Sequence, residues 1–167
     1  VSHDDEHLLE NTSESFERLK WITGFTGSAG YLLITLKDLF LFVDSRYSIQ
    51  SKIETEELKI KIFNVSELDY KKFISMKQLR TKNLGLDPKT MSKKLYSSYE
   101  ELAIKSQIKI VKLKKNLIDC IWKRNLKVQN TKNIFILDKK YSGSTFKEKL
   151  KKILTILKQN NIDGIFI

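Results

Sequence analysis

The sequence predicts an α/β domain with helices on both faces of a sheet. Three observations carry that prediction. Helical and strand patterns alternate along most of the chain. Two strand runs, residues 31–36 and 39–43, are almost wholly apolar, which marks strands covered on both sides. The 167 residues, 41% hydrophobic and 31% charged with one Pro and six Gly, suit one folded domain and a piece of another. Disorder and collagen are excluded by the same composition. A single cysteine, Cys120, closes no intramolecular disulfide, and no apolar run nears the ~20 residues of a membrane span.

The elements follow in order. Asn11 with Glu14 three residues on resembles a capping box, and Phe16, Leu19 and Ile22 continue at helical spacing until Gly24. After the glycine-bearing loop 24–30, the runs 31–36 and 39–43 flank Lys37-Asp38 as a hairpin. Residues 47–54 suit a short helix, and Leu58, Ile60 and Ile62 alternate with lysines as a strand. Ser66 with Asp69 opens a helix to about Gln78, residues 84–86 form a strand, and Asp87-Pro88 turns into a helix over 91–104. Ile108, Ile110 and Leu113 give another strand, and Asn116 caps a helix through Trp122. Residues 125–135 lack a period and read as a linker. Beyond it, Phe146, Leu150, Ile153, Leu154 and Leu157 share one face of a helix that ends at Asn160-Asn161, and residues 162–167 start a strand.

Charge is uneven. The net of +11 combines −5 over residues 1–60 with +16 over the remainder. Only four basic residues are Arg, and the lysines are spaced as solvated faces, so nucleic acid is disfavoured as a partner. The loop Gly24 to Gly30 follows a helix and precedes a strand, the reverse of phosphate-binding loops, and lacks their spacing, so its glycines read as a tight backbone crossing. His3 and His7 stand four apart among carboxylates but do not make the zinc motif, and Cys120 reads as a buried, inert thiol. Asp44-Ser45-Arg46 places a carboxylate and a guanidinium at a strand end. Spacing leaves a ligand site and a structural ion pair equally open.

Several motifs together carry a family resemblance. Asp5-x-His7-x-x-Glu10, Trp21-Ile22-Thr23-Gly24-Phe25-Thr26-Gly27-Ser28-Ala29-Gly30, Asp44-x-Arg46-Tyr47 and Gln50 resemble the amino-terminal creatinase-like domain of Xaa-Pro aminopeptidases. Leu86-Asp87-Pro88, the run Asn116 to Trp122 and Tyr141-x-Gly143 followed by Lys149 resemble the three-domain form, in which Tyr-x-Gly opens a second, similar domain. The resemblance implies a three-layer α/β creatinase/prolidase amino-terminal-like domain with a mixed sheet and helices on both faces. It places that domain at 1–124 without its first helix and strand, a linker at 125–137, and the start of a second domain at 138–167.

The implied parent is a metallo-aminopeptidase that removes the amino-terminal residue from peptides with proline second, using two divalent ions, usually manganese. Those ions belong to a carboxyl-terminal domain absent from this sequence, so no metal ligand and no catalytic residue is expected here, and the piece alone is expected to be inactive. The resemblance assigns substrate contact to Arg46, with Asp44, Tyr47, His7, Gly24, Phe25, Gly27, Ser28 and Gly30 supporting the motif. Ser45 stands where the family usually has Gly and Asn11 where it has Tyr, changes that bear on how Arg46 is aimed. A cytoplasmic, homodimeric parent without membrane contact is implied. Both ends of the chain read as cut, and residues 145–167 are expected to fill, in the same or a neighbouring molecule, the gap left by the missing helix and strand. The rival expectations are a non-catalytic binding module and a piece of a shorter prolidase or creatinase relative.

Overall fold

The computed structural model describes residues 1–76, 82–124 and 135–166. They fall into two compact units, Val1–Leu126 and Lys127–Ile167.

In the first unit, helix α1 (Arg18–Thr23) precedes the hairpin of β1 (Gly30–Ile34) and β2 (Leu39–Val43). Helix α2 (Ser48–Glu54) then crosses to β3 (Ile60–Asn64), which lies parallel to β2. Since β1 and β2 are antiparallel, the sheet is mixed. Helix α3 (Tyr70–Ile74), strand β4 (Asn83–Leu86), helix α4 (Lys93–Ser106), strand β5 (Lys109–Lys112) and helix α5 (Leu117–Ile121) follow, with β4 and β5 parallel.

The apolar runs fill two cores, as strands covered on both faces must. Leu32, Leu41 and Val43 pack with Leu19 and Phe25 on one side. The neighbouring residues point the other way, so Leu33 joins the core of Ile74, Leu84, Leu86, Tyr99, Ala103 and Ile108. Phe40 and Phe42 complete that side with Phe63, Tyr70 and Phe73, ring centroids lying 4.9–6.4 Å apart. Helices thus cover both faces, giving the expected three layers.

The sheet is parted, however. No ladder joins β1 to β4 among the described residues, and β1 carries on its outer edge only Val1 to His3, through the Ser2–Tyr31 bridge.

Several elements depart from expectation. Asn11 and Glu14 form no cap; the chain there is held by local bonds, His7 N and Leu9 N donating to Asp5 and Thr12 Oγ1 to His3 O. A 3-10 turn (Glu14–Phe16) comes first, and the helix begins at Arg18. Asp69, rather than Ser66, caps α3 by accepting from Lys71 N and Lys72 N, while Ser66 turns back to Asn64. Residues 77–78 of the expected helix lie outside the described residues. Ser92 caps α4, whereas Asp87 caps the separate turn Pro88–Thr90. Leu58 belongs to the turn closing α2, its N–H bonded to Thr55 O.

Cys120 is exposed, contrary to its expected burial. In the short helix α5 the core-facing position is Ile118, and two residues later the helix has rotated Cys120 outward. Most of the expected linker, residues 125–134, lies outside the described residues.

In the second unit, a helix not foreseen, α6 (Lys139–Ser142), precedes α7 (Phe146–Gln159), which Thr145 and Glu148 start with a complete capping box. Residues 162–166 form no strand, since a strand needs a ladder partner and none is present among the described residues.

One buried ion network ties α1 to α5. Arg18, 2% exposed, donates from Nε and Nη2 to Asp119 at 2.7 and 2.9 Å and from Nη2 to Glu6 at 2.6 Å. Arg124 Nη1 reaches Asp119 at 2.8 Å, and Trp21 stacks on Trp122 at 5.4 Å. Burial pushes the Asp119 carboxyl up, but the hydrogen bonds from Arg18 and Arg124 outweigh it and hold the group below its usual value. Removing Asp119 leaves the buried Arg18 guanidinium with Glu6 as its one carboxylate and strips two of its hydrogen bonds. Asp119→Ala should therefore destabilise the unit by about 3 kcal/mol in denaturant unfolding. Lys61→Ala, which removes the exposed pair to Asp38, should cost less than about 1 kcal/mol. Equal costs would refute the network's role.

Candidate functional site

The glycine loop and the end of β2 meet at one edge of the first unit. Gly24 ends α1 at φ +76°, a left-handed conformation that suits glycine, with its N–H donating to Lys20 O at 2.7 Å. The reversal sends Phe25 inward, where it is 1% exposed. Its ring leaves no space above it. A Cβ on Gly27 would lie 2.2 Å from Phe25 Cζ and 2.9 Å from Tyr47 Cδ1, and one on Gly30 would lie 2.9 Å from both Leu19 and Phe25. Tyr47 stands edge-on to Phe25, centroids 5.7 Å apart, and its hydroxyl shares a 2.8 Å hydrogen bond with Ser28 Oγ.

A second tie fixes the loop from α2. Glu54 accepts from Thr26 N at 2.8 Å and from Thr26 Oγ1 at 2.6 Å, and Gln50 Nε2 donates to Thr26 Oγ1 and Glu54 at 2.8 and 3.0 Å. Gln50 and Glu54 are one helical turn apart, so one face of α2 reads the loop. Partial burial pushes the Glu54 carboxyl up, yet the bonds from Thr26 and Gln50 prevail and hold it below its ordinary value.

Asp44 caps the 3-10 turn Ser45–Tyr47 by accepting from Arg46 N at 2.9 Å. The same carboxylate grips the Arg46 guanidinium at Nε and Nη2, at 3.0 and 2.5 Å. That hydrogen bond to Arg46 holds the Asp44 carboxyl low. The guanidinium also rides 5.3 Å above the Tyr47 ring. Cap and ion pair are therefore both present, and the Arg46 side chain still remains 68% exposed.

Arg46 borders a polar cleft of about 340 Å³ that also exposes His3, Asp4, Glu10 and Ser28. His3 Nε2 lies 3.1 Å from Glu10 O. Burial pushes the Asp4 carboxyl up, and the charge of His3 partly opposes it.

The structure brings Arg46, Asp44, Tyr47, Ser28, Phe25, Gly27 and Gly30 into one contiguous arrangement, with Gly24 at its base. His7 is exposed and does not line the cleft. His3 and Asp4 do, and the spacing of His3 to His7 gave no sign of which histidine would. Among the described residues no group of three His, Cys, Asp or Glu is placed to hold a metal ion, and no helix is long and apolar enough to cross a membrane.

Fold and site together define a three-layer α/β domain with a rigid glycine loop and an arginine-bearing polar cleft at the sheet's end. The Creatinase/Prolidase N-terminal domain model matches residues 8–120, and the chain belongs to that family. The probable Xaa-Pro aminopeptidase P of Coprinopsis cinerea is 30% identical over 157 residues, covering 92% of this chain and 25% of that protein. Xaa-Pro aminopeptidase 2 of Rattus norvegicus is 28% identical over 158 residues, covering 95% and 23%. Among solved structures, the X-prolyl aminopeptidase from Caenorhabditis elegans, described as a cytosolic enzyme with a di-nuclear active site, superposes with a TM-score of 0.71 at 22% identity. It covers 98% of this chain and 27% of its own. The chain spans about a quarter of the length of the curated relatives it matches.

The depressed Glu54 carboxyl fixes a pH dependence. Its contribution to stability is complete above the ordinary value of 4.5 and is lost as pH falls below it, through the lower folded value. Glu54→Gln should be about 1 kcal/mol less stable than the parent at neutral pH. The gap should close on acidification below 4.5 when thermal melts of both are followed against pH. A gap that widens in acid would contradict the assignment.

Proposed function

We propose that the chain is the amino-terminal part of an Xaa-Pro aminopeptidase, and that Arg46 contacts the peptide as it approaches a metal site held elsewhere in the parent. In this reading residues 1–124 shape access to the reaction centre and residues 138–167 begin a second, similar domain. The parent carries two divalent ions, manganese in character, and works as a cytoplasmic homodimer on peptides with proline in second position. The names of the relatives and the di-nuclear site of the Caenorhabditis elegans enzyme support the reaction class.

The observation that carries the substrate role is the half-engaged guanidinium. Asp44 takes the Nε and Nη2 positions, Tyr47 backs the plane, and the rest of the fork is open at a polar cleft. A guanidinium stays charged at any working pH and offers planar donors suited to a peptide carbonyl or carboxylate. Preorganisation matters here, because a side chain already aimed loses less entropy when the peptide arrives. Ser45, in place of the family's usual Gly, sits comfortably in the 3-10 turn that Asp44 caps.

In the full-length enzyme, Arg46→Ala should lower kcat/KM by about 10- to 100-fold, the worth of a hydrogen bond to a charged group, with metal content unchanged. Asp44→Asn should produce a smaller loss in the same direction, since the fork keeps its charge and loses its aim. Unchanged kinetics in both would reduce Arg46 to a surface ion pair. Residues 1–167 alone, supplied with manganese, should show no proline-dependent cleavage in a fluorogenic peptide assay. Measurable turnover would move the chemistry into this chain.

A further inference from the structure

One wall of the Arg46 cleft, carrying His3, Asp4, Leu8 and Glu10, is a single short stretch of chain, and its shape is held from outside the cleft. At its start His3 N donates to Gly30 O at 3.1 Å, and His3 O accepts from Thr12 Oγ1 at 3.4 Å. Leu8 N donates to Asp5 O at 3.3 Å, so residues 5–8 form a turn with Glu6 and His7 at its centre. Asp5, itself buried, closes the turn by accepting from His7 N at 2.8 Å and Leu9 N at 3.4 Å. Leu8 leaves the turn at φ +55°, a left-handed conformation that a leucine keeps only where its surroundings impose it.

The bonds of Asp5 shape the turn but do not fix where it lies. Glu6 does that. Its carboxylate accepts from Arg18 Nη2 at 2.6 Å and from Nη1 at 3.4 Å, while Asp119 holds Arg18 at Nε and Nη2. Glu6 does not line the cleft; Asp4 and Leu8, two residues to either side of it, do. Charge-assisted contacts of this kind are about twice as strong as neutral ones, so the turn is anchored at its centre to a buried guanidinium. Backbone held in a sparsely populated region clusters at ligand sites, where a preset shape lowers the ordering cost when the ligand arrives.

We propose that Glu6 is a positioning residue for peptide binding: through Arg18 it sets the wall that shares the cleft with Arg46. A bound peptide then meets that wall at a fixed place relative to the guanidinium. The inference rests on the reading of Arg46 as the peptide contact, and it adds a residue that touches no peptide itself.

In the full-length enzyme, Glu6→Ala should raise KM for a peptide with proline second about tenfold and leave kcat within about twofold, since the wall shifts and the reaction centre does not. Glu6→Gln keeps an acceptor for Arg18 without the charge and should raise KM by about threefold; it carries the comparison if Glu6→Ala fails to fold by circular dichroism. On an Arg46→Ala background the effect of Glu6→Ala should shrink to about twofold or less, because the two residues serve one bound peptide. A merely structural loss would lower the active fraction, and with it kcat, equally on both backgrounds. Hydrogen exchange on the 167-residue chain reads the anchor without peptide: the His7 and Leu9 amides should exchange about fivefold faster in Glu6→Ala, with β2 unchanged. Unchanged KM in both Glu6 variants beside a loss in Arg46→Ala would overturn this inference and leave the Arg46 reading standing. Unchanged kinetics in all three would overturn both, and unchanged exchange at His7 and Leu9 would overturn the anchor itself.

Discussion

The site rests on the packing of one aromatic ring. Phe25 is buried beneath a loop whose glycines have no room for a Cβ, and Tyr47 meets it edge-on. That contact joins two segments, the loop after α1 and the turn after β2, which are separated in sequence. Tyr47 in turn supports the Arg46 guanidinium, so the position of a solvent-facing charge is set by a buried hydrophobic contact. The hydrogen bonds of Glu54 to Thr26 work from the opposite side and keep the loop from sliding. A side chain on a loop is held more accurately when its neighbours are locked in this way.

The buried network around Arg18 has a different task. It links an N-terminal acid, Glu6, to α1 and α5, elements about a hundred residues apart. A buried pair of charges is weak evidence for net stability, because desolvation offsets much of the attraction. Its consequence is specificity of arrangement, since Arg18 finds two carboxylates only when α1, α5 and the N-terminal loop are all in place. The stacked Trp21 and Trp122 add area to the same junction.

Two halves with unequal closure result. Around the glycine loop, polar groups are satisfied and apolar groups covered. Between β1 and β4 no ladder joins the described residues, Val1 to His3 lie along the β1 edge, and the lining is mainly apolar.

Much of this was legible in the residues. The continuous apolar runs of β1 and β2 required cover on both faces, Gly24 marked the end of α1, and Asn116 announced the helix it caps. Those signals are local, and local chemistry survives in the sequence. The Asp44–Arg46 pair was equally open to a structural and a ligand-binding reading, since spacing does not say which way a fork points; the 68% exposure of Arg46 is a tertiary property. The same holds for the failed cap at Asn11, where bonds to the Asp5 carboxylate and from the Thr12 hydroxyl hold the chain instead, and for Cys120, turned outward by a helix whose core-facing residue is Ile118. Sequence alone determined most of the helices and strands of the first unit and which family the chain resembles, because periodicity and turn chemistry act within a few residues. Only the tertiary structure decided that His3 rather than His7 lines the cleft, that Arg18 bridges Glu6 and Asp119, and that β1 and β4 stand apart, because each depends on contacts between segments that the order of residues does not bring together.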